Sequence, residues 1–294
     1  MKKILSIFLT IVTMVVLLTG CSKFIINDRT ESQNTISKSN TDTQKEEKTN
    51  KEEKTDDDKE EMLNAKEGKN INKDELTVTN DSEETITKQK VVVIDPGHGK
   101  NGNKEMEAIS PDSDQLKIKD PGGAQGITTN NPEYKVNLQV ALKLKELLEL
   151  NNVKVVMTKT EDSENPGNVE RAEIANKINA DLEIRIHCDS AENQSAHGAS
   201  MLVPDSIGYA ADISSISRTY GETILESLVS KAGMYNRGIS VRSDLTGFNW
   251  SKVPIVLVEM GFMSNNEEDI LLSDDAYQNK LAQGLNDGIL KALE

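Results

Sequence analysis

From Lys90 onward, short runs of β-branched residues alternate with longer stretches in which apolar positions recur every three or four residues. Val91-Val92-Val93-Ile94 is a continuous apolar run of the kind that forms a strand buried on both faces. It stops at Asp95-Pro96-Gly97-His98-Gly99, where proline withdraws a backbone donor and glycine admits a turn. Asn131-Pro132-Glu133 reads as an N-cap, a first-turn proline and an early acid, and it opens a helix with Val136, Val140, Leu144 and Leu147 on one stripe. Val153 to Thr158 predicts the next strand, Val169 to Asn179 a helix, and Leu182 to Ile186 a strand ending at His187. Ala199 to Val203 predicts a short strand. Ile213 to Ala232 predicts an amphipathic helix with Ile213, Ile216, Tyr220, Ile224 and Leu228 in register. Arg237 to Val241 predicts a further strand, and Arg242 to Val253 a loop carrying the only tryptophan, Trp250. Pro254 to Val258 is an apolar run that ends at Glu259, and Glu267 to Leu272 and Tyr277 to Leu293 close the chain as helices.

This alternation predicts an α/β fold, a mostly parallel mixed sheet flanked by helices on both faces, in a single catalytic domain over residues 90–294. Ligands of such sheets bind beyond the carboxyl ends of the strands. Three of the predicted strands end there in His98, His187 and Glu259. The polar segment Asn101 to Thr129, which holds Asp120-Pro121-Gly122-Gly123, is long for a loop, and loops of that length are functional or mobile. Its length makes it a loop with the reach to cover the site, an arrangement the sequence leaves open.

The first 89 of the 294 residues follow a different pattern. Met1-Lys2-Lys3 is positively charged, and Ile4 to Leu18 is apolar but short for a membrane span. Leu18-Thr19-Gly20-Cys21 follows, and the whole resembles the signal peptide and lipobox of bacterial lipoproteins. The resemblance implies a signal peptide over residues 1–20, cleavage before Cys21, lipid on the Cys21 sulfur, and a protein anchored to the outer face of the cytoplasmic membrane. Residues 21–89 are rich in Lys, Glu, Asp, Asn, Thr and Ser, too polar to offset the entropy of ordering. They read as a disordered tether with a root-mean-square span on the order of 45 Å.

The formal net charge of −15 and a pI near 4.8 argue against a nucleic-acid partner, which would need a basic face. With Cys21 given to lipid, Cys188 has no disulfide partner, so stability must come from the core or a metal. Zinc in a hydrolase takes three ligands from His, Glu and Asp and leaves a position for water. His98, Glu133 and His187 supply that set, and a helix start keeps Glu133 ionised. Glu259 is the spare carboxylate, suited to act as general base from a neighbouring strand end. Spacing alone does not establish such a site, since these ligands do not form the compact His-Glu-x-x-His pattern.

Several other residues carry two readings each. Asp95 either supports His98 or shapes the Asp-Pro-Gly turn; Asn137, one turn after Glu133, either supports it or lies exposed. Glu183 and Arg185 read as a polar face or an ion pair. Cys188 should point away from His187 as a small packed residue. His197 reads as a solvated loop histidine rather than a proton carrier, and Phe248 with Trp250 as loop-anchoring core rather than a stacking platform.

Val93-Ile94-Asp95-Pro96-Gly97-His98-Gly99, Glu133 with Asn137-Leu138 and Ala141, Arg171 with Ala175-Asn176 and Ala180-Asp181 before Arg185-Ile186-His187, and Val258-Glu259-Met260-Gly261-Phe262-Met263-Ser264-Asn265 together resemble the zinc-dependent N-acetylmuramoyl-L-alanine amidases, the type 3 amidase family. The resemblance spans about Lys90 to Leu293. It implies a helix-flanked sheet, Zn2+ held by His98, Glu133 and His187, Glu259 as the catalytic carboxylate, and peptidoglycan as substrate, with the protein expected to be a monomer. Two departures stand out: Lys159 follows Thr158 where the family has arginine, and Arg185 occupies a position where it has serine. The stretch after Val241 also lacks the family's Leu-Arg, which bears on substrate preference. The rival readings are a non-catalytic lipoprotein that binds peptidoglycan or activates another hydrolase, and a zinc peptidase or deacetylase on the same polymer. Retention of all four residues favours the enzyme, and motif order favours the amidase. For the anchor, Cys21→Ser should abolish lipid labelling and leave an unprocessed precursor. Tight membrane retention of wild type without any lipid label would reject the lipobox reading.

Overall fold

The apolar runs pair side by side as anticipated. In the computed structural model, which describes residues 88–294, six strands form one sheet: β1 (Val91–Pro96), β4 (Lys154–Met157), β5 (Leu182–Asp189), β6 (Ala199–Pro204), β7 (Asn236–Arg242) and β8 (Ile255–Phe262). Their order is β4-β1-β5-β8-β6-β7, parallel throughout except where β6 runs antiparallel to β8. The helices are α1 (Glu133–Leu150), α2 (Asn168–Ile178), α3 (Ser214–Ala232), α4 (Thr246–Trp250), α5 (Asn266–Leu272) and α6 (Asp275–Ala292). This is the predicted mixed α/β domain. The signal peptide, Cys21 and almost all of the tether lie outside the described residues. Among the described residues no helix is long and apolar enough to cross a membrane.

Period-two alternation sends each strand's side chains to opposite faces. Leu182, Ile184, Ile186 and Cys188 join Val256, Val258 and Met260 in the main core, covered by α1, α3 and α6. Cys188 therefore packs as a small apolar residue facing away from His187, as predicted. On the other face Val93, Ala175, Ala180 and Val253 pack under α2, and Phe248 of α4 is fully buried with Leu202, Ile213, Ile255 and Leu257.

Some elements differ from the periodicity reading. In α3 the buried stripe runs through Ser217 and Gly221 before Ile224, Leu225 and Leu228, while Ile216 is exposed. The small residues let the helix approach the sheet: a Cβ on Gly221 would sit 2.9 Å from Val203 Cγ1, and Ser217 Oγ accepts a hydrogen bond from the Ile255 backbone at 3.0 Å. At the start of α1 the capping position falls on Pro132, not Asn131, whose side chain instead donates to Ser273 Oγ at 2.8 Å.

The segment Asn101 to Thr129 is not a loop throughout. It contains an antiparallel hairpin, β2 (Asn103–Ala108) and β3 (Leu116–Asp120). Its charged side turns toward the body: Glu107 is buried and accepts hydrogen bonds from the Asn168 and Val169 backbone amides, supplying α2 with the N-terminal acceptor that Gly167 cannot. Its apolar side turns outward, with Met106, Leu116 and Ile118 exposed. The predicted loop 242–253 holds α4, which pins the hairpin base: Asn249 Nδ2 donates to Ile109 O and Trp250 Nε1 to Ala108 O. Phe248 and Trp250 are thus anchors, as anticipated.

Beneath α2 lies a buried polar layer. Asp95 accepts from Thr158 Oγ1 at 2.5 Å, Arg171 Nη1 at 2.5 Å and Arg185 Nε at 2.7 Å. It therefore neither supports His98 nor shapes the turn; it braces two arginines. Burial disfavours its charge, but the two guanidiniums hold its carboxyl well below the usual carboxylate range. Arg185 is ion-paired, with Asp95 rather than Glu183. Glu183 is fully buried and neither of its carboxyl oxygens has a hydrogen-bond partner. Burial, then the charge of Asp95, push it well above its ordinary value of 4.5.

The linkage has a definite sign. The folded state keeps a proton on Glu183 that the unfolded chain releases above about 4.5, so stability present below that value is lost as pH rises toward the folded pKa. In that window the loss approaches about 1.4 kcal/mol per pH unit. Glu183→Gln should lack this component, so thermal melts from pH 5 to 8 should give the variant a shallower decline than wild type. Parallel profiles would show that folded Glu183 does not hold its proton in this window.

Candidate active site

The site forms where β1, β5 and β8 end and α1 begins. Pro96-Gly97 closes β1, and His98 follows with φ 62°, a left-handed conformation that costs a non-glycine residue about 1–3 kcal/mol. Its ring faces the start of α1. Nδ1 lies 2.6 Å from Asp120 Oδ1 at the end of β3, and Nε2 lies 3.4 Å from Glu133 Oε1. Asp120 itself is fixed by the Gly99 and Gly122 amides and by Asn165 Nδ2.

Glu133, buried at the first position of α1, is held from several sides. Oε2 accepts from the Ala124 amide at 2.7 Å, and Oε1 from the Cys188 amide at 3.2 Å and Asn137 Nδ2 at 3.1 Å. His187 Nδ1 lies 3.1 Å from the same Oε1. Asn137 is fully buried and also donates to Gly97 O, so it supports the carboxylate and is not an exposed helix asparagine. Two glycines make room: a Cβ on Gly97 would lie 2.1 Å from His187 Cε1, and one on Gly123 would lie 2.7 Å from Glu133 Oε2.

Potential donor atoms of His98, Glu133 and His187 thus lie within 4.8 Å of one another. His187 Nε2 is buried and has no hydrogen-bond partner. Glu259 is the register partner of His187 across the β5–β8 pairing, which sets both side chains on the same face of adjacent strands, and its Oε2 is buried without a partner. Three of the sequence-derived residues thus lie together, and Glu259 stands opposite one of them in the strand pairing.

The electrostatics divide the group. Burial disfavours a charged His98, but hydrogen bonds and charge from Asp120 and Glu133 outweigh it and push the imidazole up to about 9. Burial pushes His187 down to about 4, despite its contact with Glu133. Glu133 stays well below its ordinary value: the two histidines overcome the cost of its burial. Glu259 is driven the other way, well above its ordinary value, by burial and by the charges of Glu133 and Asp189. Adjacent carboxyls held in opposite protonation tendencies suit a binding group and a proton carrier respectively.

Residues 92–291 match the family of N-acetylmuramoyl-L-alanine amidases. The chain belongs to that family. The probable cell wall amidase LytH of Staphylococcus aureus is 24% identical over 221 residues, covering 73% of this chain and 62% of LytH, so the chain spans less than two thirds of that relative. Among solved structures, the catalytic domain of the amidase CwlV from Bacillus (Paenibacillus) polymyxa aligns with a TM-score of 0.56 and 28% identity, covering 69% of this chain and 97% of that one. The apo amidase Ami1 of Mycobacterium abscessus gives a TM-score of 0.64 and 26% identity over 70% of this chain and 99% of its own. The CwlD amidase of Clostridioides difficile, solved in complex with the GerS lipoprotein, gives 0.58 and 28% over 70% and 98%.

Within this amidase domain, sequence reasoning missed Asp120. A signal was present, because Asp120-Pro121-Gly122 repeats the Asp95-Pro96-Gly97 tripeptide and, like it, closes a strand. His197 is exposed on its loop, with Nδ1 3.0 Å from Ser195 O and its ring beside Tyr235, in keeping with a solvated histidine. Lys159 is buried, with Nζ 5.9 Å from the Tyr134 ring centroid and no hydrogen-bond acceptor.

Asp120 orients His98 as outer carboxylates orient metal-ligating histidines. Asp120→Asn should weaken metal binding by about 10- to 100-fold while leaving the fold intact, as read by chelator competition. Unchanged metal affinity would mean that the His98–Asp120 contact does not prepare a ligand.

Proposed function

We propose that this chain is a zinc-dependent N-acetylmuramoyl-L-alanine amidase. It cleaves the amide between the lactyl group of N-acetylmuramic acid and the L-alanine of the stem peptide. It works from the outer face of the cytoplasmic membrane, facing the cell wall, held there by lipid on Cys21 and reaching outward on the tether of residues 21–89. The observation that carries the chemistry is the convergence of His98, Glu133 and His187 with Glu259 alongside as the register partner of His187.

The residues fit a zinc ion. Two imidazoles and a carboxylate are a hydrolytic zinc set, His187 Nε2 is buried without a partner, and Gly97 and Gly123 stand where any side chain would strike the ligating groups. Zinc bound there supplies a Lewis acid for the scissile carbonyl and brings the pKa of an attacking water to about 7. Asp120 accepts the Nδ1 proton of His98 and so directs the Nε2 lone pair inward. Asn137 and the amides of Ala124 and Cys188 keep the Glu133 carboxylate in one orientation. Glu259 takes the proton from the attacking water and returns it to the leaving amine, and its raised carboxyl pKa suits both halves of that transfer.

Glu259→Gln preserves shape and removes the base. It should retain close to one zinc per chain and lose about 10²- to 10⁴-fold in activity. His187→Ala should lose both zinc and activity, together with any folding free energy linked to the metal. Zinc content and mass-spectrometric identification of the ends released from peptidoglycan, measured on the same preparations, decide the assignment. Full activity in Glu259→Gln, or loss of its zinc, would remove Glu259 from this role; new peptide ends elsewhere in the polymer would point to a peptidase, and released acetate with free amino groups on the sugars to a deacetylase.

A further inference from the structure

Beside the two histidines lies a cavity of about 160 Å3, walled by the hairpin strand β3, the start of α2 and residues of β5 and β8. Its lining is basic. Arg171, Arg185, Lys117 and Lys119 contribute to it, and the one acid among its lining residues, Asp120, is already hydrogen-bonded to His98. Because His98 and His187 line the same cavity, any group bound in it lies next to the bond being cut.

The two arginines differ in how fully they are used. Arg171 gives Nε to Pro166 O, Nη1 to Asp95 and Pro96 O, and Nη2 to Asn165 Oδ1. Arg185 gives Nε to Asp95 and Nη2 to Asn168 Oδ1, but among the described residues Nη1 has no acceptor. Gly247 packs against it: a Cβ there would stand 2.6 Å from Nη1, so only glycine leaves that nitrogen its place. Asp95, a single carboxylate, faces two guanidiniums and leaves one positive charge uncompensated. Glu183, two residues earlier on the same strand face, makes no hydrogen bond to either arginine.

We propose that this cavity is a subsite for a carboxylate of the stem peptide close to the scissile amide, with Arg185 Nη1 as hydrogen-bond donor and Lys117 adding charge at the rim. The proposal rests on the amidase reading, in which the L-alanine side of the substrate is followed by an acidic residue whose α-carboxyl occurs free or amidated. A free carboxylate gains a charge-assisted hydrogen bond that an amide does not.

The test uses the full chain, loaded with zinc, and two muropeptides that differ only in having that α-carboxyl free or amidated. Wild type should favour the free acid by about ten- to a hundred-fold in kcat/KM, chiefly through KM. Arg185→Ser should erase the preference. Because Arg185 also braces Asp95, Lys117→Glu serves as the second variant: Lys117 is exposed, and reversing its charge should diminish the preference without disturbing the buried layer. Direct binding of both muropeptides to Glu259→Gln separates the two readings. Tighter binding of the acid by Glu259→Gln, with neither substrate cleaved by the zinc-loaded wild type, would refute the amidase and keep the subsite. Equal binding and equal kcat/KM for both substrates, or a preference that survives in both variants, would overturn the subsite.

Discussion

Glu133 is a buried carboxylate at a point where it has little water to solvate it, and much of the surrounding structure answers that demand. Ionisation there is tolerable only if both oxygens are occupied by donors or by positive charge. The amide of Ala124, the amide of Cys188, the side-chain amide of Asn137 and the two histidines meet that need from four separate parts of the chain. The fold at this corner is therefore tightly specified. α1 must begin at Glu133, Gly123 must have no side chain, and β5 must end with its Cys188 amide directed at the carboxylate while Cys188's side chain stays in the core.

The same logic, repeated below the sheet, explains why the second face is not simply hydrophobic. Asp95 and Arg171 come from β1 and α2, and their ion pair ties helix to strand in a layer where water is excluded. A buried pair of this kind is costly to form and costlier to break singly, so it acts as a register lock more than as a source of stability. Arg185 joins that lock from β5 and carries its spare donor to the edge of the site. The hairpin inverts the usual arrangement in keeping with this. Its charged side is needed inside, to cap α2 through Glu107 and to bring Asp120 to His98, and its apolar side is left facing water.

Much of this was legible in the chain. His98, His187 and Glu259 announced themselves because each terminates an apolar run, and Glu133 because a proline and a helical stripe frame it. Two kinds of feature were not legible. Asp120 and the hairpin lie in a polar stretch with inverted amphipathicity, where hydrophobic periodicity carries the wrong sign or none. The buried stripe of α3 passes through Ser217 and Gly221, whose value is their small size, and hydrophobic patterning does not register size. The partners of Asp95 were hidden for a different reason: Arg171 and Arg185 are separated from it by the whole crossover unit, and a lone aspartate before Pro-Gly has a ready local explanation.

The place of β8 in the sheet has a consequence for how the protein comes into being. It is the last strand in sequence, yet it sits in the interior between β5 and β6. Until it arrives, the chain is two separate half-sheets, β4-β1-β5 and β6-β7, each presenting an unpaired edge of the kind that recruits other chains. The residue assigned to proton transfer lies on that same strand, so closure of the sheet and completion of the site depend on the same segment. A chain interrupted before Ile255 is accordingly not a weakened form of the enzyme but a pair of sticky fragments, matter for proteolysis rather than for hydrolysis of the wall.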